Sequence, residues 1–506
     1  MPGLSKSKYT LFRQCAKALW LQANKPELAV IDDSAMERFK AGNEVGDLAM
    51  GLLGNYVEVT ALTGDGSLDL KEMIRRTQEC IAAGTDNIAE ASFAWNGNYC
   101  AVDILHRTSD GYAIYEVKSS TGSDAKSKNT RSVLEKYARD IAYQKFVLGK
   151  CGVNVTGTYL VRLNSEYVLA QSLDIHKLFH ITDMRGLVEE ELQVVEANIR
   201  DAMAVLSSGS EPDCRLGNHC LHPYGCAFAQ YCMKGIPTPS VFDLYKMPFG
   251  KAADLYYAGK VTFGDLCVSG LSPMQRMQVE CTLKGEDHID KPAIRKFLTK
   301  LYYPLYFLDF ETMKDPVPQY QGTKPHQQVT FQYSLHWIEQ EGGELRHTGF
   351  LGESGTDPRR ALAEQICQDI PMNVCATAYN KDFECKRLYE LADMYPDLAG
   401  HLRNIADNIV DLLDPFQDGS CYTPAMGGSF SIKSVLPALF PDDPELDYHN
   451  LDGRCQNGGD AMTIFPRIKD LAPEEQLATR AALLDYCRLD TYAMVKVWQK
   501  LVEVSK

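Results

Sequence analysis

At 506 residues the chain is too long for one ordinary hydrophobic core, and its length predicts two or three domains. A composition of 45% hydrophobic, 24% charged and 10% aromatic residues excludes wholesale disorder, and no uncharged apolar run approaches the roughly 18 residues of a membrane-spanning helix. The net charge of −15 argues against a surface that coats nucleic acid everywhere, while leaving room for an enzyme whose basic residues are local.

Residues 1–250 carry 26 Lys+Arg against 30 Asp+Glu, and residues 251–506 carry 26 against 37, so the excess acidity sits in the second half. The opening Met1-Pro2-Gly3-Leu4-Ser5-Lys6 lacks the apolar stretch of a secretion signal, and a cytoplasmic protein is expected. Sixteen cysteines in a reducing compartment point to metal rather than to disulfides.

Helical periodicity runs from Ser5 to about Leu21 and again over Ala35–Leu53. Strand patterns at Tyr99–Arg107 and Tyr112–Ser119 flank Asp110-Gly111, a pair that favours a two-residue hairpin loop. A helix over Arg131–Leu148, a strand over Thr158–Leu163 and a helix over Ile181–Leu206 lead into a cysteine-dense segment ending at Cys232. Ile236-Pro237-Thr238-Pro239-Ser240 reads as a linker, and short helices such as Ala252–Ala258 and Pro273–Leu283 fill the stretch to about Lys300. A second β pattern starts at Tyr303–Glu311 and continues through Gln328–Trp337 and Leu345–Leu351. A helix over Asp357–Ile370, a strand over Val374–Tyr379 and a long helix from about Pro473 complete an α/β domain.

Cys214, Cys220, Cys226 and Cys232 stand six residues apart, a thiolate density that suits zinc or an iron–sulfur cluster. Cys226-Ala-Phe-Ala-Gln-Tyr-Cys232, together with Lys6-x-x-Tyr9-x-x-Phe12-x-x-Cys15, resembles the iron–sulfur nucleases of the Cas4 and AddB type. The resemblance implies a [4Fe–4S] cluster held by Cys15, Cys220, Cys226 and Cys232. Five residues separate Cys220 from Cys226 where that family usually has two, which leaves Cys214 as a rival for Cys220.

With a two-residue loop at Asp110-Gly111, paired residue numbers across the hairpin sum to 221, and Asp103 faces Lys118. Asp103 and Glu116 are then diagonal neighbours on one face, within reach of one divalent ion, with Lys118 beside it. This D…ExK pattern in Tyr115-Glu-Val-Lys-Ser-Ser120 resembles the Cas4/RecB version of the PD-(D/E)XK nucleases, which implies a catalytic role for Gln144 on the following helix and an extra carboxylate at Glu90. Gly42-Asn-Glu-Val-Gly46-Asp47 offers no counterpart to that family's metal-binding histidine, and Glu44 and Asp47 are the substitutes at hand. Lys126, Lys128, Arg131, Lys136, Arg139, Lys145 and Lys150 follow closely, and the first three are expected to begin a track for the phosphate backbone.

In the second half, Asp309 and Glu311 project to one side of a strand end, Glu384 follows a second β run, and Tyr486 and Asp490 share a helix face. In this order they resemble the DEDD exonucleases of the DnaQ/ribonuclease-H-like group. The resemblance implies two divalent ions held by Asp309, Glu311, Glu384 and Asp490, with Tyr486 positioning the attacking water as in the DEDDy branch. Glu384 stands where most relatives have Asp. Ser431-Ile-Lys433 and Gly458-Gly-Asp-Ala461 are substrate contacts by the same analogy.

The whole order resembles bacterial proteins of the DUF2779 group. The expected architecture is therefore α/β: a PD-(D/E)XK nuclease domain with an Fe–S subdomain at 1–236, a helical connector at 237–300, and a ribonuclease-H-like DEDD domain at 301–506. The expected activity is phosphodiester hydrolysis by Mg²⁺ or Mn²⁺ at two sites, with DNA as first substrate and RNA as the alternative. Single-stranded or end-frayed DNA, 3′–5′ polarity at the second site, and end processing in repair or phage defence follow from the resemblance alone. Two rivals stand beside it: one live C-terminal site with the N-terminal half as a nucleic-acid-binding platform, and an iron–sulfur redox sensor on vestigial nuclease folds.

Overall fold

A computed structural model describes residues 3–30, 33–123 and 128–506. Lys126 lies outside the described residues, and so does the side chain of Lys128. The architecture is mixed α/β, and the chain divides into two compact units: Met1–Gly235 with Asp315–Gln327, and Ile236–Lys314 with Gln328–Lys506. Among the described residues no helix is long and apolar enough to cross a membrane.

The first unit is built on strands β1 (Leu4–Ser5), β2 (Val57–Glu58), β3 (Asn87–Trp95), β4 (Asn98–Arg107), β5 (Tyr112–Gly122), β6 (Val155–Asn164) and β7 (Phe179–Asp183). They form one sheet in the order β2-β3-β4-β5-β6-β7, with β1 also pairing β4. Its helices are α1 (Lys6–Gln14), α2 (Ala16–Asn24), α3 (Asp33–Ala49), α4 (Leu70–Ala82), α5 (Lys128–Lys150), α6 (Ile175–Leu178), α7 (Arg185–Ser207) and the single turn α8 (Ala229–Cys232). Apolar residues of α5 (Ile141, Ala142, Val147) and α7 (Val188, Val195, Ile199) bury against Leu105, Ile114 and Leu160 of the sheet. Tyr9 of α1 stacks on Tyr143 of α5 with ring centroids 4.8 Å apart, which contributes about 0.5–1.5 kcal/mol beyond the area it buries. A second core gathers Val45 and Ala49 of α3, Ile104, Val117 and Val161 of the sheet, and Val317 of the distant segment.

Four sequence expectations are corrected here. The helix expected over Ser5–Leu21 breaks at Cys15, whose backbone is extended (φ −159°, ψ 120°) between α1 and α2. The helix expected from Ile181 begins at Arg185, because Phe179–Asp183 pairs with β6 as an edge strand. Strand β3 has no counterpart in the sequence reading; its Ala-rich run, Asn87-Ile-Ala-Glu-Ala-Ser-Phe-Ala-Trp95, is buried almost throughout and shows no alternation. The hairpin register is off by two: Arg107 pairs with Tyr112 and Ile104 with Tyr115, so paired numbers sum to 219 and Thr108–Gly111 form a four-residue loop. Gly111 is needed there for space, since a Cβ would lie 2.2 Å from the Asn154 carbonyl oxygen.

The second unit contains β8 (His288–Ile289), β9 (Leu305–Lys314), β10 (Gln328–Ile338), β11 (Leu345–Leu351), β12 (Cys375–Ala378), β13 (Ile409–Asp411) and β14 (Cys421–Tyr422). The main sheet runs β11-β10-β9-β12-β13, with β11, β10 and β9 antiparallel and β12 parallel to both β9 and β13. The stretch 237–300 is part of this unit rather than a separate connector. β8 pairs with β14, and Ile294 and Phe297 are buried in the same core as Phe307 and Phe416. The 33-residue helix Pro473–Ser505, about 50 Å long at 1.5 Å per residue, packs on β9 and β10.

Candidate metal centres

In the first unit the register puts three carboxylates in a row across adjacent strands. The pairs Ala89–Ile104 and Ala91–Val102 flank Glu90 and Asp103, and the β4–β5 ladder ends at Ile104–Tyr115, so that Asp103 and Glu116, rather than Asp103 and Lys118, are the next residues along the two strands. A shift of two residues preserves the face, so Asp103, Glu116 and Lys118 still project together. Asp103 Oδ2 accepts from the Val117 amide at 2.6 Å. Glu90 sits in the left-handed region, φ +57°, a conformation rare for a residue with a Cβ.

Glu116, fully buried, is the hub. Its Oε1 accepts from Lys118 Nζ at 2.6 Å and from Lys6 Nζ at 2.9 Å; its Oε2 accepts from Gln144 Nε2 at 2.6 Å and from Lys6 at 3.1 Å. Lys6 Nζ also lies 3.8 Å from Asp103, and Lys118 Nζ lies 3.3 Å from Asp140. Burial alone would raise Glu116, but Lys118 and Lys6 outweigh it and hold the carboxyl at about 2. Burial together with Asp103 pushes Glu90 up to about 7, and burial with Glu116 raises Asp103. Gln144 Oε1 is buried and finds no hydrogen-bond partner among the described residues. Glu44 faces Asp315 and Lys40 electrostatically. Lys6 and Asp140 escaped the sequence reading. Asp140 was within reach of it, because it stands four residues before Gln144 and shares that helix face.

The cysteines converge as well. Cys15, Cys214, Cys220, Cys226 and Cys232 line one pocket with Leu216, His219 and Phe228. Burial, reinforced by Cys214 and Cys226, pushes the Cys15 thiol up to about 12. Cys214 therefore belongs to the group as fully as Cys220. A soft-metal group fits these donors.

The basic run has different partners from those expected. Arg131 pairs with Glu135 and Glu190, Arg139 with Glu191, Lys145 with Glu189, and Lys150 with Glu196, so acidic residues of α7 neutralise one side of α5. Of the expected phosphate contacts Lys126, Lys128 and Arg131, only the Arg131 side chain is among the described residues, and it is shared with two carboxylates.

In the second unit, Asp309 of β9 lies opposite Ser334, and Glu311 lies opposite Gln332 past a bulge at Phe331. Directly opposed residues share a face. On that face Gln332 Nε2 donates to the Leu483 carbonyl at 2.8 Å, and Ser334 meets Thr491 at 2.7 Å. These two contacts bracket Tyr486, Cys487 and Asp490, and so set this stretch of the terminal helix over the two strand carboxylates. Asp309, Glu311 and Cys487 each offer a ligand atom within 4.8 Å of the others. Glu384 enters from the first turn of helix Asp382–Met394, whose preceding amides Asn380 and Lys381 donate to Asp411 at 2.8 and 3.0 Å. Its Oε2 is buried with no hydrogen-bond partner among the described residues.

Tyr448 Oη donates to Asp490 Oδ1 at 2.5 Å, and the Tyr486 ring stands 6.0 Å from that of Tyr448. Lys433 Nζ hangs 5.7 and 5.9 Å from the rings of Tyr448 and Tyr486, where its charge reaches Glu311 and Asp490. Gly458 approaches Glu311 and Tyr486 from the helix Gly458–Ile464. Burial and mutual repulsion drive Asp309 and Glu311 well above the usual carboxylate range. Burial, with Asp411 adding, lifts Glu384 to about 8; burial lifts Asp490 to about 6 against the pull of its two tyrosines. Unlike the first site, this one has no ammonium in hydrogen-bond contact with its acids among the described residues. Tyr448 was missed because nothing in the sequence marks it as a neighbour of the carboxylates; Cys487 was within reach, three residues before Asp490 on the same helix.

No curated protein matches the chain. Residues 306–431, which include Asp309, Glu311 and Glu384 and end before Tyr486 and Asp490, match the family described as a domain of unknown function, DUF2779.

Proposed function

We propose that the protein is a metal-dependent nuclease that hydrolyses phosphodiester bonds of single-stranded or end-frayed DNA, with a PD-(D/E)XK-type site in the first unit and a DEDDy-type 3′–5′ exonuclease site in the second. The observation that carries this reading is the second site: half-buried Asp309 and buried Glu311 within 4.8 Å of each other, with buried Glu384 and Asp490 acting on them electrostatically, all pushed above their ordinary range and one with an orphaned oxygen. Acids grouped in this way ionise together only at a cost that bound cations would offset. When bound, divalent ions activate a water and stabilise the leaving oxygen. Asp309, Glu311, Glu384 and Asp490 would hold them, with Mg²⁺ or Mn²⁺ the fitting choice for oxygen donors. Tyr486, beside Gly458 and Tyr448, would orient a nucleophile, and Tyr448, which donates to Asp490, would fix that carboxyl.

At the first site Asp103, Glu116 and Glu90 would hold a divalent ion, and Lys118 would face a phosphate. Cys15, Cys226 and Cys232, with Cys214 or Cys220, would hold a [4Fe–4S] cluster that ties the ends of the unit together. A second reading, one live C-terminal site with the first unit as a binding platform, is favoured by the pairing of Glu116 with two lysines. Cleavage of end-labelled single strands with Mn²⁺, by Asp309→Ala and Asp103→Ala proteins separately, tests both. Loss in each supports two sites. Loss in Asp309→Ala alone leaves the platform reading, and unchanged cleavage in both variants contradicts the proposal.

A further inference from the structure

The first site contains its own cation. Lys6 Nζ is shared by both oxygens of Glu116, at 2.9 and 3.1 Å, and stands 3.8 Å from Asp103 Oδ1. It therefore sits between the two carboxylates on which a metal would be held. With Lys118 on Oε1 and Gln144 on Oε2, each oxygen of Glu116 already accepts two donors, which fills its ordinary capacity. Asp103 Oδ2 is taken by the Val117 amide, and Oδ1 faces Lys6. A divalent ion that uses both Asp103 and Glu116 has to take the place of this ammonium.

Charge counting points the same way. Glu90, Asp103, Glu116 and Asp140 outnumber Lys6 and Lys118 by two, so the ammonium groups leave the cluster with an excess of oxygen donors. The ammonium is held by geometry that is not accidental to a flexible side chain. Lys6 is the first residue of α1, whose N-cap Ser5 accepts from Lys8 N, and the preceding Leu4 carbonyl accepts from Tyr143 Oη at 2.6 Å.

We propose that Lys6 is the resident counter-cation of the first site, occupying the place between Asp103 and Glu116 until a single divalent ion displaces it. This rests on the nuclease reading of that site, and it assigns Lys6 a role in setting metal affinity that is separate from the role of Lys118. The consequence is a site that opens to metal only at a raised concentration, with one ion and no second.

The test is Mn²⁺ binding by electron paramagnetic resonance of the free ion, on full-length protein carrying Asp309→Asn and Glu311→Gln to silence the second site. Lys6→Met and Lys6→Gln are each expected to tighten by about tenfold or more the one equivalent of Mn²⁺ that Asp103→Asn abolishes, because a positive charge beside the ion is removed. Lys6→Arg should restore the weaker binding of the parent. If the Asp103-dependent equivalent binds equally well in the parent, Lys6→Met and Lys6→Gln proteins, the counter-cation role is wrong while the nuclease reading stands. If no Asp103-dependent Mn²⁺ binds in any of them, both fall. Two Asp103-dependent equivalents in the parent would also overturn the proposal.

Discussion

Lys6 and Cys15 are the two ends of one helix: Lys6 opens α1 with its ammonium on Glu116, and Cys15 caps it with its thiol in the cysteine pocket. Nine residues span about 13 Å, so a short rigid rod connects the carboxylate site to the place where a cluster would be held. Gln14 adds a second tie at the same end, donating to the carbonyls of His219 and Tyr224 at 2.8 Å.

That relationship makes the thiols a structural condition for the first site. Cys15→Ser and Cys226→Ser are expected to lower bound iron and sulfide and to raise amide hydrogen exchange over residues 6–14 by about tenfold, because metal binding contributes directly to local folding. Exchange in α1 that stays at the parent rate after iron is lost would separate the helix from the cluster.

At the second site Tyr448 donates to Asp490 and Tyr486 stands beside Tyr448, and the proposed roles of the two differ. Tyr486→Phe should lower cleavage by about 10²-fold with Mn²⁺ affinity little changed, the loss expected for a group that orients the reacting atoms. Tyr448→Phe should weaken Mn²⁺ binding instead, because Asp490 loses the donor that keeps its carboxylate ionised. Equal effects of the two on rate and affinity would refute the division of labour.

The ion pairs between α5 and α7 predict a small effect for Arg131. Its guanidinium is already shared by Glu135 and Glu190, so Arg131→Ala should change single-strand DNA affinity by no more than about twofold, within the range of an exposed ion pair. Glu190→Ala should strengthen binding slightly and steepen its salt dependence. Fluorescence anisotropy over a salt series checks both, and a loss near tenfold for Arg131→Ala would restore the phosphate track.

Acid stability of the second unit should depend on His336. Burial first, then His347 and Arg488, hold its imidazole down at about 3, while an unfolded imidazole titrates near about 6.5. The unfolded chain therefore takes up a proton that the folded chain refuses. The stability that neutral His336 contributes is complete above about pH 6.5 and falls as pH drops towards 3, by at most about 1.4 kcal/mol per pH unit. The raised acids of the second site act in the opposite sense and equally in both proteins, so calorimetry of parent and His336→Gln side by side should show the parent losing more stability relative to the variant between pH 7 and 5. Equal pH slopes in the two proteins would contradict it.

Much of each site was legible because the chemistry sits on regular elements. Period-two alternation groups Asp103 with Glu116 and Lys118, and Asp309 with Glu311, whatever the exact register, so a pairing error of two residues left the faces intact. Helix periodicity likewise groups Tyr486 with Asp490. What escaped was long-range: Lys6 reaches Glu116 across 110 residues, and Tyr448 reaches Asp490 across 42, from an irregular stretch. The partners of the basic run of α5 were hidden for the same reason, since Glu189, Glu190, Glu191 and Glu196 lie on a separate helix. The unit boundary was obscured because Asp315–Gln327, lying between β9 and β10 in sequence, folds into the first unit, where Val317 is buried and His326 Nε2 meets the Ser119 carbonyl at 2.6 Å.

The central claim is that these buried acids hold divalent cations, and anomalous scattering from crystals soaked in Mn²⁺ tests it most directly. The account predicts two peaks about 3.5–4 Å apart among Asp309, Glu311, Glu384 and Asp490, and one between Asp103 and Glu116 with Lys6 swung aside. A map without manganese at Asp309 and Asp490, at a concentration that saturates known Mn²⁺ sites, would contradict it.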